Sequence, residues 1–408
     1  MLERVFLGAS GDTYWAARLS VAGSNFSPND IITDVNNNVY VCGNEYTPVI
    51  IKLNSLGTIT WQRTLSIGSS GTILVNIVVD SNNNVYAGGA AQAQLFIVKY
   101  DSNGTLQWQR TIGEPSTNEY ARSLAIDANN NLYLVGYDGG IPAARIIKFD
   151  SSGNVLWQRA ITSIESSRAV VSSDTNLYMS YNVTQFSTAR AGVAKYSSTG
   201  TLDFQNICNN SGNAYAAGIS FDTSNNIYVS GSDGNNIFLY KMNSSGVMQW
   251  QRLLTSSGTQ LSGGDCYVDG NSVFVTGYTY ADNGTTLYIA KYDLGGNLQW
   301  QRSIQNSNLR GVSSNIYSKN GTMFITSRFT VSSINSIVIF KLPDDGSLTS
   351  TISLDGYNFV YGASSLTSSN PGASSTEWGG TGSTSSLTAA NSTYTSSTSS
   401  LTANTVTL

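Results

Sequence analysis

Apolar and polar residues alternate along most of this chain with period two, in short runs that come in sets of four. One set comprises Leu74–Asp80, Asn84–Gly89, Leu95–Asp101 and Gly104–Arg110. Period-two alternation over six to eight residues predicts half-buried strands, here named A, B, C and D in order. Between A and B lies a polar link, as in Asp34-Val-Asn36-Asn37-Asn38, Asp80-Ser-Asn82-Asn83-Asn84 and Asp127-Ala-Asn129-Asn130-Asn131. Asn and Asp tolerate left-handed backbone angles and bond their own main chain, so these links predict tight hairpin turns. Between C and D a second turn ends in glycine, as at Gly104, Gly153 and Gly246.

The set recurs. Strand B carries an aromatic at Tyr40, Tyr86, Tyr133, Tyr178, Tyr228, Phe274 and Phe324. Strand C carries a lysine at Lys52, Lys99, Lys148, Lys195, Lys241, Lys291 and Lys341. Strand D carries Trp61, Trp108, Trp157, Phe204, Trp250 and Trp300, with Arg63, Arg110, Arg159, Arg252 and Arg302 two residues on. A fixed period of this length built from short strands predicts a propeller. The expected fold is all-β: seven four-stranded antiparallel blades followed by a C-terminal Ser/Thr-rich extension. Trp15 sits in a lone strand-D-like stretch at the N-terminus, whereas the last unit has A, B and C strands and only a faded D, Gly346–Leu354. The expectation is that Tyr14–Leu19 closes the ring by pairing with Ile337–Lys341. Residues 1–27 are thus read as a closing segment, 28–354 as the blades and 355–408 as an interaction segment. The fourth unit is degenerate, because Phe204-Gln-Asn206 has lost both Trp and Arg.

Composition then narrows the function. Only 11% of residues are charged, histidine is absent and the net charge is −4. A nucleic-acid groove needs clustered Lys and Arg, so nucleic acid is not an expected partner. The absence of histidine removes His-based triads, His general bases and His-ligated metals. Cys42, Cys208 and Cys266 have no CxxC spacing and read as small buried apolar residues. No run approaches the ~20 apolar residues of a membrane helix, and the first residues show no apolar core of signal-peptide length. From Ala363 to Leu408, 25 of 46 residues are Ser or Thr. Two near-copies, Ser383–Ser392 and Ser397–Val406, lie 14 residues apart there.

Three constellations in the sequence are candidates for chemistry. Asp34, Asn36 and Asn38 match the first ligand positions of a calcium loop, with Glu45 at the twelfth, but Val39 stands where that loop needs glycine. Turn chemistry is the preferred reading. Arg122, Arg168 and Arg310 lie near strand-A starts and read as ordinary surface arginines rather than an anion site. No convergent carboxylate pair of the glycosidase kind stands out. No catalytic, cofactor-binding or metal-binding residue is therefore assigned, and no cofactor is expected.

The motifs Asp-x-Asn-Asn-Asn-x-Tyr-x-x-Gly and Lys-Tyr-Asp-Ser-x-Gly-x-Leu-x-Trp-Gln resemble the PQQ-like and bacterial β-propeller repeat families over about residues 28–345. That resemblance implies the propeller, not an activity, since such families span quinoprotein dehydrogenases and cofactor-free scaffolds. The phrase Phe6–Trp15 also resembles the openings of marine phage virion proteins. The expected function is a non-enzymatic virion structural or attachment protein of a bacteriophage: tail, fibre or capsid-surface component. It would be made in the host cytoplasm, or be extracellular if not viral. Expected partners are other virion proteins through the C-terminal segment and a host-surface glycan, within a larger assembly and without membrane insertion. The alternatives are a secreted or periplasmic quinoprotein-like enzyme and a carbohydrate-binding propeller.

Overall fold

The computed structural model describes residues 2–7, 14–20, 25–44, 48–66, 72–91, 93–112, 119–138, 143–162, 165–171, 175–185, 188–208, 213–281, 284–364, 366–369, 396–397 and 402–404. Every regular element among them is a strand. Strands A to D of blade 1 are Ser27–Thr33, Val39–Asn44, Pro48–Leu53 and Ile59–Ser66. In blade 2 they are Ile73–Val79, Val85–Ala91, Gln94–Tyr100 and Leu106–Ile112. Blade 3 comprises Glu119–Ile126, Leu132–Asp138, Ala143–Phe149 and Val155–Thr162. Blade 4 comprises Glu165–Val171, Leu177–Gln185, Thr188–Tyr196 and Leu202–Ile207. Blade 5 comprises Ala214–Phe221, Ile227–Asp233, Asn236–Met242 and Met248–Thr255. Blade 6 comprises Leu261–Asp269, Ser272–Ala281, Gly284–Asp293 and Leu298–Asn306. Each pairs antiparallel in the order A-B-C-D.

Blade 7 takes A, B and C from Leu309–Lys319, Thr322–Val331 and Ile334–Pro343, and its D strand from Tyr14–Leu19. The register runs from Trp15 opposite Lys341 to Leu19 opposite Ile337, so the expected closure holds. The A strands neighbour one another in succession, and that of blade 7 returns to that of blade 1, which makes A the inner strand of every blade.

The core lies between blades. One cluster joins Tyr86, Leu95 and Ile97 of blade 2 to Leu124, Leu132 and Leu134 of blade 3. Another joins Trp15 and Ile339 of blade 7 to Ile31, Val41 and Ile51 of blade 1. Because each sheet buries both faces against neighbours, strands B and C read as nearly continuous apolar runs, such as Val85–Ala91. Removing one blade's face from its neighbour would expose the next blade's core. The ring is the folding unit.

Candidate functional site

The repeated polar residues form two networks per blade. In the A–B turn of blade 2, Asp80 Oδ1 accepts from the backbone N–H groups of Asn82 at 2.9 Å and Asn84 at 2.8 Å. Its Oδ2 accepts from the Asn84 side-chain amide at 2.8 Å and from the Tyr86 hydroxyl at 3.1 Å. Asn83 holds the left-handed φ of 61° that the turn requires. Blades 1, 3 and 5 repeat this arrangement at Asp34, Asp127 and Asp222. Burial and the adjoining carboxylate together push the Tyr40, Tyr86, Tyr133 and Tyr228 hydroxyls well above the usual tyrosine range. In the calcium-like constellation, both Asp34 oxygens thus receive protein donors. Glu45 lies outside the described residues.

The second network is a latch between blades. Trp61 donates its indole N–H to the carbonyl of Ser102 in the next blade at 3.1 Å, and Lys52 donates to the same oxygen at 2.9 Å. Arg63 covers the Trp61 ring at 5.6 Å and donates to the Gly104 carbonyl at 2.7 Å. Gly104 packs against that indole at φ 77°. The pairs Trp108/Lys99, Trp157/Lys148, Trp250/Lys241, Trp300/Lys291 and Trp15/Lys341 grip Ser151, Ser198, Leu294, Asp344 and Ser55 in the same way. Desolvation lowers the affinity of Lys52, Lys148 and Lys341 for their protons. The degenerate blade 4 keeps half the latch: Asn206 donates to the Gly246 carbonyl at 2.9 Å, where its counterparts use arginine.

Two features were not visible in the motifs. One is a register irregularity in every A strand, between Pro28 and Asp30, Leu74 and Asn76, Ala121 and Ser123, and onward to Arg310 and Asn315. Bulges twist the inner strand and re-aim a side chain. The residue there differs from blade to blade, being Asn29, Val75, Arg122, Ser167 and Ala217. Arg122 and Arg168 therefore sit at or beside bulges of separate blades, while Arg310 donates to the carbonyls of Ser307 and Leu309 on its own chain. Tyr120 and Tyr215, 44% and 52% exposed, occupy equivalent A-strand positions in blades 3 and 5. They lie at the end of the blades opposite the Asp-Asn turns.

The second feature is an outer layer. Leu2–Leu7 pairs outside the D strand of blade 7. Tyr357–Ala363 pairs outside that of blade 6 and forms a hairpin with Ser350–Leu354, so the faded stretch after Gly346 becomes rim rather than blade. Thr367–Ser369 pairs outside blade 5, Ser396–Ser397 outside blade 2 and Thr402–Asn404 outside blade 1. Leu366 is buried between blades 5 and 6, where Gln301 donates to its carbonyl at 2.6 Å. Tyr292 and Ser368 share a 3.0 Å hydroxyl contact beside it.

With this geometry, residues 5–187 match a family described as PQQ_2, outer membrane protein assembly factor BamB. The chain is a β-propeller similar to the PQQ-like repeat family. Its fold resembles a structure titled "YCF48 bound to D1 peptide", with TM-score 0.52, 13% identity, and 85% of this chain and 100% of that one covered. The polysaccharide lyase Uly1 gives TM-score 0.52 at 8% identity, covering 79% and 91%. A protein from Lactobacillus plantarum gives 0.50 at 15% identity, covering 73% and 94%. At such identities the likeness is one of fold. No curated protein matches the sequence.

Proposed function

We propose that this protein is a non-enzymatic structural or attachment component of a bacteriophage particle, using the propeller as an interaction scaffold. The observation that carries this reading is the outer layer. Strands from both ends of the chain lie on the edges of five blades, and an unpaired strand edge is a template for unwanted association. A ring latched between blades and shielded at its rim suits a protein that must persist outside a cell. The surface chemistry agrees, since Ser, Thr, Asn and Tyr stand where most proteins carry charge. The C-terminal segment is the part assigned to other particle proteins, and Tyr120 and Tyr215 offer aromatic faces to a host-surface glycan. Mass spectrometry of purified virions tests the assignment; absence of the protein from intact particles overturns it.

The match over residues 5–187 favours a second reading, a quinoprotein-like propeller. A bound quinone stabilises only a protein with a site for it, so added PQQ and Ca²⁺ would raise the melting temperature under that reading and leave it unchanged under the first.

A further inference from the structure

One position on strand B has a structural duty in several blades. Four residues after the strand-B aromatic stand Asn44 in blade 1, Asn182 in blade 4 and Ser232 in blade 5. Each side-chain oxygen accepts from a backbone N–H in the A strand of the next blade: Leu74 at 2.8 Å, Ala216 at 2.9 Å and Gly263 at 2.8 Å. The three donors share one register, the last pair before the A-strand bulge.

Blade 7 abandons this arrangement from both sides. Its strand-B residue is Arg328, which has no acceptor, and the matching A-strand residue of blade 1 is Pro28, which has no N–H. The blade-to-blade bond cannot form here, so it does not account for the arginine. Directly opposite Arg328 across the strand pair stands a second arginine, Arg310, and both are half-buried. Like charges in such a pair, with Cβ atoms about 5 Å apart, destabilise a sheet. Among the described residues neither arginine forms an ion pair, and the Arg328 Nε is buried without a hydrogen-bond partner. Arg310 is anchored, its Nη1 donating to the carbonyls of Ser307 at 2.9 Å and Leu309 at 2.8 Å. One fixed guanidinium beside another with an unspent donor is suited to an oxyanion, whose oxygens match the arginine fork.

The pair lies on the rim that carries the exposed aromatics. Arg310 occupies in blade 7 the A-strand position that Tyr120 and Tyr215 occupy in blades 3 and 5. An aromatic face takes the apolar side of a sugar ring, and a guanidinium takes its charged group. We infer that Arg310 and Arg328 form an anion site on this rim, which holds the carboxylate or sulfate of an acidic glycan. The sugar part rests on the glycan reading of Tyr120 and Tyr215; the charge part rests on the arginines alone.

Calorimetric titration of the full-length protein with three forms of one oligosaccharide tests it. The forms are a polyuronate, the same chain with its carboxylates reduced to alcohols, and that reduced chain carrying sulfate esters. At least one acidic form is expected to bind about tenfold tighter than the reduced chain, and the tighter of the two identifies the charged group. Arg310→Gln and Arg328→Gln should each erase that preference. Lys319→Gln, at the other end of the same A strand as Arg310, should keep it. Equal binding of acidic and reduced chains overturns the anion site and leaves the glycan reading standing; no binding of any chain overturns both. A preference that survives in both arginine variants also overturns the site. Stability supplies a second readout. Removing Arg328 relieves a like-charge pair, whereas Asn44→Ala strands the Leu74 N–H. The urea midpoint should therefore fall less in Arg328→Gln than in Asn44→Ala. An equal or larger fall would make the arginine a brace between blades and overturn the inference.

Discussion

Trp15 donates its indole N–H to the carbonyl of Ser55 at 3.1 Å, joining the N-terminal strand of blade 7 to the C–D turn of blade 1. Every blade runs by chain into the next, but within blade 7 the C strand Ile334–Pro343 and the D strand Tyr14–Leu19 come from opposite ends of the chain and are joined only by their pairing and packing. Lys341 of that C strand donates to the same Ser55 oxygen at 2.9 Å, so the latch holds both halves of blade 7 to blade 1.

Closure should accordingly be sensitive to this residue. Trp15 is fully buried, whereas Trp250, in the same role within blade 5, is partly exposed. Trp15→Ala is expected to lose about 3–5 kcal/mol, and Trp250→Ala less. Trp15→Phe keeps much of the packing but loses the donor, at about 1 kcal/mol from that bond. Urea midpoints of the three variants check the ranking; equal losses at positions 15 and 250 would contradict it.

The turn carboxylates act as hubs. Tyr86→Phe removes one hydrogen bond and should cost about 1 kcal/mol, while Asp80→Ala leaves two backbone donors and a buried hydroxyl without their acceptor, for about 3 kcal/mol. Thermal denaturation of both variants separates a hub from an ordinary partner. Supplementing the buffer with Ca²⁺ is expected to leave the Asp80→Ala deficit unchanged, since the missing contacts are N–H and O–H donors to oxygen.

Two glycines with similar backbone angles make a matched pair. Gly104 has φ 77° and a Cβ there would lie 2.9 Å from the Trp61 ring; Gly258 has φ 81° with nothing within 4 Å. Gly258→Ala pays only the backbone term, about 1 kcal/mol. Gly104→Ala adds displacement of the indole and should cost at least about 1 kcal/mol more. The comparison fails if the two variants melt together.

Thiol chemistry reads the same packing. Cys42, Cys208 and Cys266 are buried thiols, none of them in a disulfide, and burial pushes the Cys208 thiol up to about 12. The thiolate is the reactive form, so an aromatic disulfide reagent at pH 8 should label none of the three in the native protein and all three in guanidinium. Rapid labelling before unfolding would show that the interblade seams open.

The wheel was legible because its determinants are local and repeated. Tyr86, Lys99 and Trp108 recur with fixed spacing, and the missing D strand of the last unit pointed to Tyr14–Leu19. The use of these residues was less legible. Arg63 and Asn206 differ in type yet reach equivalent glycine carbonyls in the next blade, an equivalence that exists only once the blades are juxtaposed. The outer strands were hidden for a related reason. Thr367–Ser369 and Thr402–Asn404 have no apolar alternation, because their pairing uses backbone groups and an edge supplied by distant strands. Leu366 and Leu401 are the apolar marks that accompany them, and single leucines among serines carry no periodicity. The A-strand bulges left no trace either, since the bulged residue varies from Asn29 to Val75 to Arg122.

Acid should unfold this protein through its turns. The Asn297 side chain and backbone hydrogen bonds hold the Asp293 carboxyl below its ordinary value of 3.8, and those from Ser347 do the same for Asp345. At Asp150 and Asp222 burial acts in the opposite direction, but the hydrogen bonds from Asn154 and Asn226 and their neighbours outweigh it. A depressed folded-state value means that the unfolded chain binds more protons, so stability rises with pH across the interval. The contribution is complete above 3.8 and is lost as pH falls through the lower folded-state values. Lys148 and Lys341, depressed by burial below 10.5, act in the same sense near that pH, but the hydroxyls of Tyr40, Tyr86, Tyr133 and Tyr228, held above 10.0 with several other buried tyrosines, make the folded chain the better proton binder there and outweigh them, so stability should fall on approach to pH 10. Between these limits the chain has no histidine, and no side chain of ordinary value titrates there. Urea midpoints should therefore fall below pH 4, stay level from pH 5.5 to 7.5, and fall again toward pH 10. Asp293→Asn should flatten the acid limb. A step in the midpoint near pH 6.5 would show that some buried group titrates there instead.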